Sequence, residues 1–190
     1  MLNGECGADQ VLDRAIAVLQ GRTMLHLLDD IPAPIYVTDP DGVVTHFNKS
    51  CAGFAGRTPL AGKDRWCVTW KLYTNEGKFL PHDQCPMADA LRGKRPVRGV
   101  TALAERPDGT RVNFMPFPTP VFSPSGEFMG AINMLIDITE RQQAEELRTQ
   151  AMRCRRLARG SGDDGAFAAL TRMAAEYEIK ASALDLLTPQ

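Results

Sequence analysis

Apolar and polar positions along the chain change period twice. Between Pro34 and Phe47, and again between Val97 and Ile138, the apolar residues are β-branched or aromatic and fall in short runs, which predicts strands. Three turns of one kind punctuate them: Asp39-Pro40-Asp41-Gly42, Arg106-Pro107-Asp108-Gly109 and Ser123-Pro124-Ser125-Gly126. Pro presets the first central residue of such a turn, Asp or Ser tolerates the second, and Gly accepts the positive φ that follows. Each turn therefore tips a hairpin. Five strands are predicted, a pair (Pro34–Thr38, Val43–Phe47) and a meander (Val97–Glu105, Thr110–Val121, Glu127–Ile138).

Elsewhere the period lengthens to three and four. Val11–Leu28 carries Leu12, Ala15 and Leu19 on one side. In the glycine-broken stretch from Asn48 to Pro96 the clearest helix is Cys85–Leu91, with Asp83 as cap, Pro86 early, and Met87 and Leu91 on one face. After the meander, Thr139 caps a helix from Glu140 to Arg159 with a narrow seam of Ala144, Leu147, Ala151, Cys154 and Ala158. Gly160–Gly165 breaks it, and Phe167, Leu170, Ala174, Tyr177, Ala181 and Leu184 repeat the spacing, so a helical hairpin is expected. The fold class is α+β: a five-stranded antiparallel sheet with short helices on one face, an N-terminal helix and a C-terminal helical hairpin. The expected divisions are 1–24, 25–139 and 140–190.

Alternation on the last strand separates Met129, Ala131, Asn133 and Leu135 from Gly130, Ile132, Met134 and Ile136. Both sets are largely apolar, so both faces should be covered. The second set is expected to meet the leading helix or a second subunit, and self-association follows as an expectation.

Composition narrows the partners. The chain has 190 residues, 44% hydrophobic and 24% charged, and a net charge of -1, which offers no global attraction for nucleic acid or acidic membranes. No long apolar run suits a membrane span, and acidic Glu5, Asp9 and Asp13 stand where a secretory signal would be basic. Its five cysteines are scattered and form no C-x-x-C, so neither a disulfide framework nor a metal site is expected, and a cytoplasmic location is.

The stretch Pro34-Ile-Tyr-Val-Thr38 through Asp41-Gly42 to Asn48, and Gly130-Ala-Ile-Asn-Met-Leu-Ile-Asp137-Ile-Thr139-Glu140, resembles the PAS family of sensor domains over roughly Leu25 to Thr139. The middle, from Gly62-Lys-Asp-Arg-Trp66 through Leu80-Pro-His82-Asp-Gln-Cys85-Pro to Glu105–Thr110, looks like the PAS segments of bacterial hybrid sensor kinases. The resemblance implies a sheet cradling short helices, a ligand or protein partner sensed inside, and a signal leaving through the helix after Asp137-Ile-Thr139. It places Phe54, Trp66, Trp70, Tyr73, Met87, Leu91, Phe114, Asn133 and Leu135 around a ligand pocket. Asp137 and Thr139 are then signal-transmitting, and Ile132, Met134, Ile136, Leu147 and Ala151 are dimer or helix-packing residues.

Catalytic signals are missing. Glu140–Gln190 has no His to accept a phosphoryl group, and neither a phosphate-cradling glycine loop nor a nucleophile elbow is present. Flavin photochemistry is not expected, because Leu135 stands where family photosensors place Gln and neither Cys51 nor Cys67 has the required neighbours. The expected protein is a non-catalytic cytoplasmic homodimer that binds a small ligand or a signalling protein such as a kinase or regulator. Two alternatives remain open. His82 and Cys85, at a helix start where the thiol pKa would fall, would make a haem- or redox-responsive sensor, and a cavity filled by its own side chains would make a ligand-free interaction module.

Overall fold

A computed structural model describes residues 25–187 of the chain. Most of the helix expected over Val11–Leu28 lies outside the described residues, and its tail, Leu25–Asp30, is a 3-10 turn. Two compact units follow, dividing between Asp137 and Ile138.

In the first unit eight strands stand where five were predicted. They are β1 (Ile35–Thr38), β2 (Val44–Phe47), β3 (Lys71–Tyr73), β4 (Phe79–Leu80), β5 (Ala102–Glu105), β6 (Arg111–Pro116), β7 (Thr119–Phe122) and β8 (Phe128–Asp137). The order is β2-β1-β8-β6-β5-β3-β4, all antiparallel, with β7 also on β8. Two causes account for the surplus. The predicted strand Thr110–Val121 is interrupted at Phe117-Pro118, because Pro118 has no N–H for the ladder. The short pair β3 and β4, hidden between glycines, adds an edge to β5.

The three Pro-x-Gly turns form as predicted. Gly42, Gly109 and Gly126 stand at φ of +82°, +84° and +83°, each donating its N–H to the carbonyl three residues back. Gly130 is needed for a different reason: a Cβ there would lie 2.0 Å from the Thr38 carbonyl oxygen, where β8 passes the end of β1.

Helices α1 (Lys49–Ala55) and α2 (Pro86–Gly93) cover the inner face. Cys85, not Asp83, is the N-cap of α2, since His82–Gln84 forms its own 3-10 turn first, and the Asp83 carbonyl instead accepts from Arg92. Phe54 of α1 meets Phe114 of β6 edge to face at 5.4 Å. Asn48, 1% exposed, pins the start of the unit: its Oδ1 accepts from Ile35 N, and its Nδ2 donates to the carbonyls of Leu28, Ile31 and Ala33.

The outer face is covered as well. Ile132 and Met134 are buried in a second apolar cluster with Leu28, Ile35, Phe117 and Val121, with Ile31 and Ile136 packed against it. The stripe expected to meet the leading helix or a second subunit is thus largely closed within one chain, with Leu28 and Ile31 among its cover.

The second unit is a helical hairpin of α3 (Thr139–Gly160) and α4 (Asp164–Leu187). Thr139 is the first helical residue, with Ile138 in the cap position. Ala151 and Cys154 of α3 meet Ala174 of α4, with Leu170 and Tyr177 beside them, so small side chains bring the axes together. Arg148–Asp185 and Arg155–Glu178 bridge the helices at the surface.

Candidate functional site

The inner face of the sheet holds one connected polar group among apolar neighbours. Tyr36 on β1 and Asn133 on β8 are 0% and 2% exposed and point inward with Ala131 and Leu135. Asn133 Nδ2 donates to the Tyr36 hydroxyl at 3.0 Å, which donates in turn to the Trp66 carbonyl at 3.0 Å. At the other end, Asn133 Oδ1 accepts from Phe117 N at 2.9 Å, in the break between β6 and β7. Four segments of the unit are joined by these bonds. Burial pushes the Tyr36 hydroxyl well above its ordinary pKa, with the nearby Cys67 and Cys85 adding to the shift, so the phenol is held neutral as both donor and acceptor.

Trp66 is the strained member. Its φ is +67°, a region a bulky side chain rarely enters, at a cost on the order of 1–3 kcal/mol. Surrounding contacts hold it there: Trp66 N donates to the Gly42 carbonyl at 2.7 Å, and the indole lies where a Cβ on Gly42 would be, 2.3 Å away. Its carbonyl thereby turns inward to meet Tyr36.

Cys51, Cys67 and Cys85 line the same interior, all as free thiols. At Cys85 the N–H groups of Met87 and Ala88 do pull the pKa down, as a helix start should, but burial and Cys67 outweigh them and raise it to about 12. Cys51 is likewise pushed up to about 12, chiefly by burial. The lowered thiol pKa that the redox-responsive alternative would need at Cys85 is therefore not found, and these thiols pack as small apolar groups.

His82 sits apart from this interior. Its Nε2 is buried without a hydrogen-bond partner among the described residues, beside the Arg57–Asp64 ion pair. Burial, then Arg57, hold the imidazole pKa below its ordinary value. A haem does not fit these two residues, because the His82 Nε2 is buried and the Cys85 thiol, itself buried, is turned to the Trp66 carbonyl at 3.9 Å. Among the described residues no group of three or more His, Cys, Asp or Glu is arranged to hold a metal ion.

Of the expected pocket residues, Phe54, Met87, Leu91, Phe114 and Leu135 share the inner cluster, with Trp66 packed at its margin. Trp70 is 52% exposed, and Tyr73 stands on the face of β3 opposite Leu72, against Phe79 and under Arg111. Residue order in the insert did not reveal which side each ring would take, since β3 was not foreseen. Two residues of this interior, Tyr36 and Cys67, lie outside the expected pocket set. Strand alternation carried a signal for the first, because Tyr36 occupies the inward position of β1 that pairs with Asn133 on β8.

A family model described as the PAS fold matches residues 28–143. Among solved structures, the chain is similar to the PAS domain of BvgS from Bordetella pertussis, at 27% identity and a TM-score of 0.45, the match covering 68% of this chain and 93% of that one. It is also similar to the LOV protein of Rhodobacter sphaeroides, at 13% identity and a TM-score of 0.49, covering 87% and 96%. A PAS domain from Colwellia psychrerythraea matches at 18% identity and a TM-score of 0.41, covering 65% and 98%. A search of curated proteins returns no match.

Proposed function

Because the chain belongs to the PAS-fold family, whose members sense signals and pass them on, we propose that it is a non-catalytic sensor whose readout is the Tyr36–Asn133 tie on β8. A small ligand or a partner protein that displaces the Trp66 segment withdraws the carbonyl to which Tyr36 donates. Tyr36 must then find another acceptor, and Asn133 on β8 loses the geometry of its bond. β8 runs to Asp137 and Ile138 caps α3, so a change in the strand has a direct covalent route to Thr139 and α3. The strained φ of Trp66 supports a two-state element here, since strain held by neighbours is released when a neighbour moves.

The output is a rearrangement of helices read by another signalling protein, a kinase or a regulator, in the cytoplasm. The sensor works as a homodimer, with Leu147 and Ile136, both only half-buried within the chain, at the contact. A second reading, an interaction module without a ligand, is favoured by one observation: Phe54, Met87, Leu91, Phe114 and Leu135 are each 6% exposed or less and already fill one cluster.

Native mass spectrometry of the gently purified protein separates these readings. A bound small molecule in a dimer supports the ligand sensor. A dimer of bare chains favours the interaction module, and a bare monomer contradicts the dimeric account.

A further inference from the structure

The residues at His82 carry an inference beyond this reading. Arg57 follows the end of α1, Asp64 closes a turn by accepting from Leu60 N at 2.9 Å, and the two pair at 2.8 Å. Both side chains are largely enclosed, at 20% and 17% exposure. Arg57 spends one terminal nitrogen on Asp64 and on the Thr69 carbonyl, yet its Nε is buried with no partner among the described residues. His82 Nε2 is buried in the same condition. The charged groups that act on the imidazole are Arg57, Asp64 and, on its own turn, Asp83. Asp83 is exposed, so the enclosed part of the site has one carboxylate, and Arg57 already holds it. The site accommodates a neutral imidazole, and only the exposed Asp83 remains to offset a second cation.

His82 is also placed where its displacement is felt. Its carbonyl accepts from Cys85 N at 3.2 Å, and Cys85 is the N-cap of α2, whose Met87, Ala88, Ala90 and Leu91 are buried.

We propose that the sensor unit answers to acid through His82: a proton taken from solvent onto the half-buried imidazole sets a second cation against Arg57, expels the ring, and loosens the His82–Gln84 turn together with the start of α2. The sign follows from the site. A neutral imidazole favoured by the fold binds its proton less readily than in the unfolded chain, where its pKa is about 6.5. The stabilisation is present above that value and is lost as the pH falls through and below it. This device does not rest on the Tyr36–Asn133 reading, and Tyr36 does not titrate in that range.

The test compares the full chain with His82→Gln, which keeps a neutral polar side chain of similar reach. Urea unfolding and hydrogen exchange are followed from about pH 7.5 to about pH 5, bracketing the ordinary histidine range. The wild type is expected to lose unfolding midpoint relative to His82→Gln as the pH falls, with exchange over residues 82–91 rising only in the wild type. Arg57→Gln, which removes the opposing cation, should shrink the acid response, and with an NMR titration of the His82 ring it keeps the test open if His82→Gln does not fold. Parallel pH courses for wild type and His82→Gln, or unchanged exchange over 82–91, would overturn the proposal and leave the proposed function standing.

Discussion

The two units of this chain are held together in opposite ways. Residues 25–137 surround large apolar side chains with buried polar ties, each of which has one geometry: Asn48 to four backbone groups, and Asn133 to Tyr36 and Phe117. The hairpin instead joins its helices through alanines and a cysteine, and bridges them with ion pairs that are nearly half exposed. Small side chains allow a close approach but bury little area, and exposed ion pairs contribute little. A sheet unit built this way resists small shifts, whereas a hairpin built this way tolerates them. That division suits a sensor whose interior must register a change and whose helices must move in response.

Substitutions should separate the two regions by size of effect. Gly130→Ala forces a Cβ into the Thr38 carbonyl and should cost more than about 4 kcal/mol, leaving little folded protein by circular dichroism. Truncating Phe114 to Ala, in the 2%-exposed interior, should cost about 3–5 kcal/mol in urea unfolding. In the hairpin, by contrast, Ala174→Gly should cost only about 1 kcal/mol, the difference in backbone freedom. Least of all, Arg155→Ala should change stability by less than about 1 kcal/mol, and by less still in high salt, because the Arg155–Glu178 pair is exposed. A hairpin as sensitive as the sheet unit would break the comparison.

Much of this division was legible in residue order. The three Pro-x-Gly turns, the inward set on the last strand and the narrow seam of α3 all rest on local rules, and local contacts enforce them. What escaped was long-range. β3 and β4 are three and two residues long, too short for a period, and exist because β5 offers them an edge. The place of Trp66 depends on Gly42, twenty-four positions earlier, and the Arg57–Asp64 pair and the buried Nε2 of His82 come from segments that no spacing connects. At Cys85 the helix start, which residue order reveals, lowers the thiol pKa, while burial, which it does not reveal, outweighs it.

The central claim is that the Tyr36–Asn133 tie couples the interior to the hairpin. Tyr36→Phe removes only the hydroxyl, leaving Asn133 Nδ2 and the Trp66 carbonyl without it, at about 1–3 kcal/mol. Amide hydrogen exchange across the whole chain, compared between wild type and Tyr36→Phe under conditions where both are folded, tests the claim most directly. Faster exchange is expected around Trp66, along β8 and onward into α3, although the substitution lies in the other unit. Exchange that changes only within residues 25–137, with α3 and α4 untouched, would contradict it.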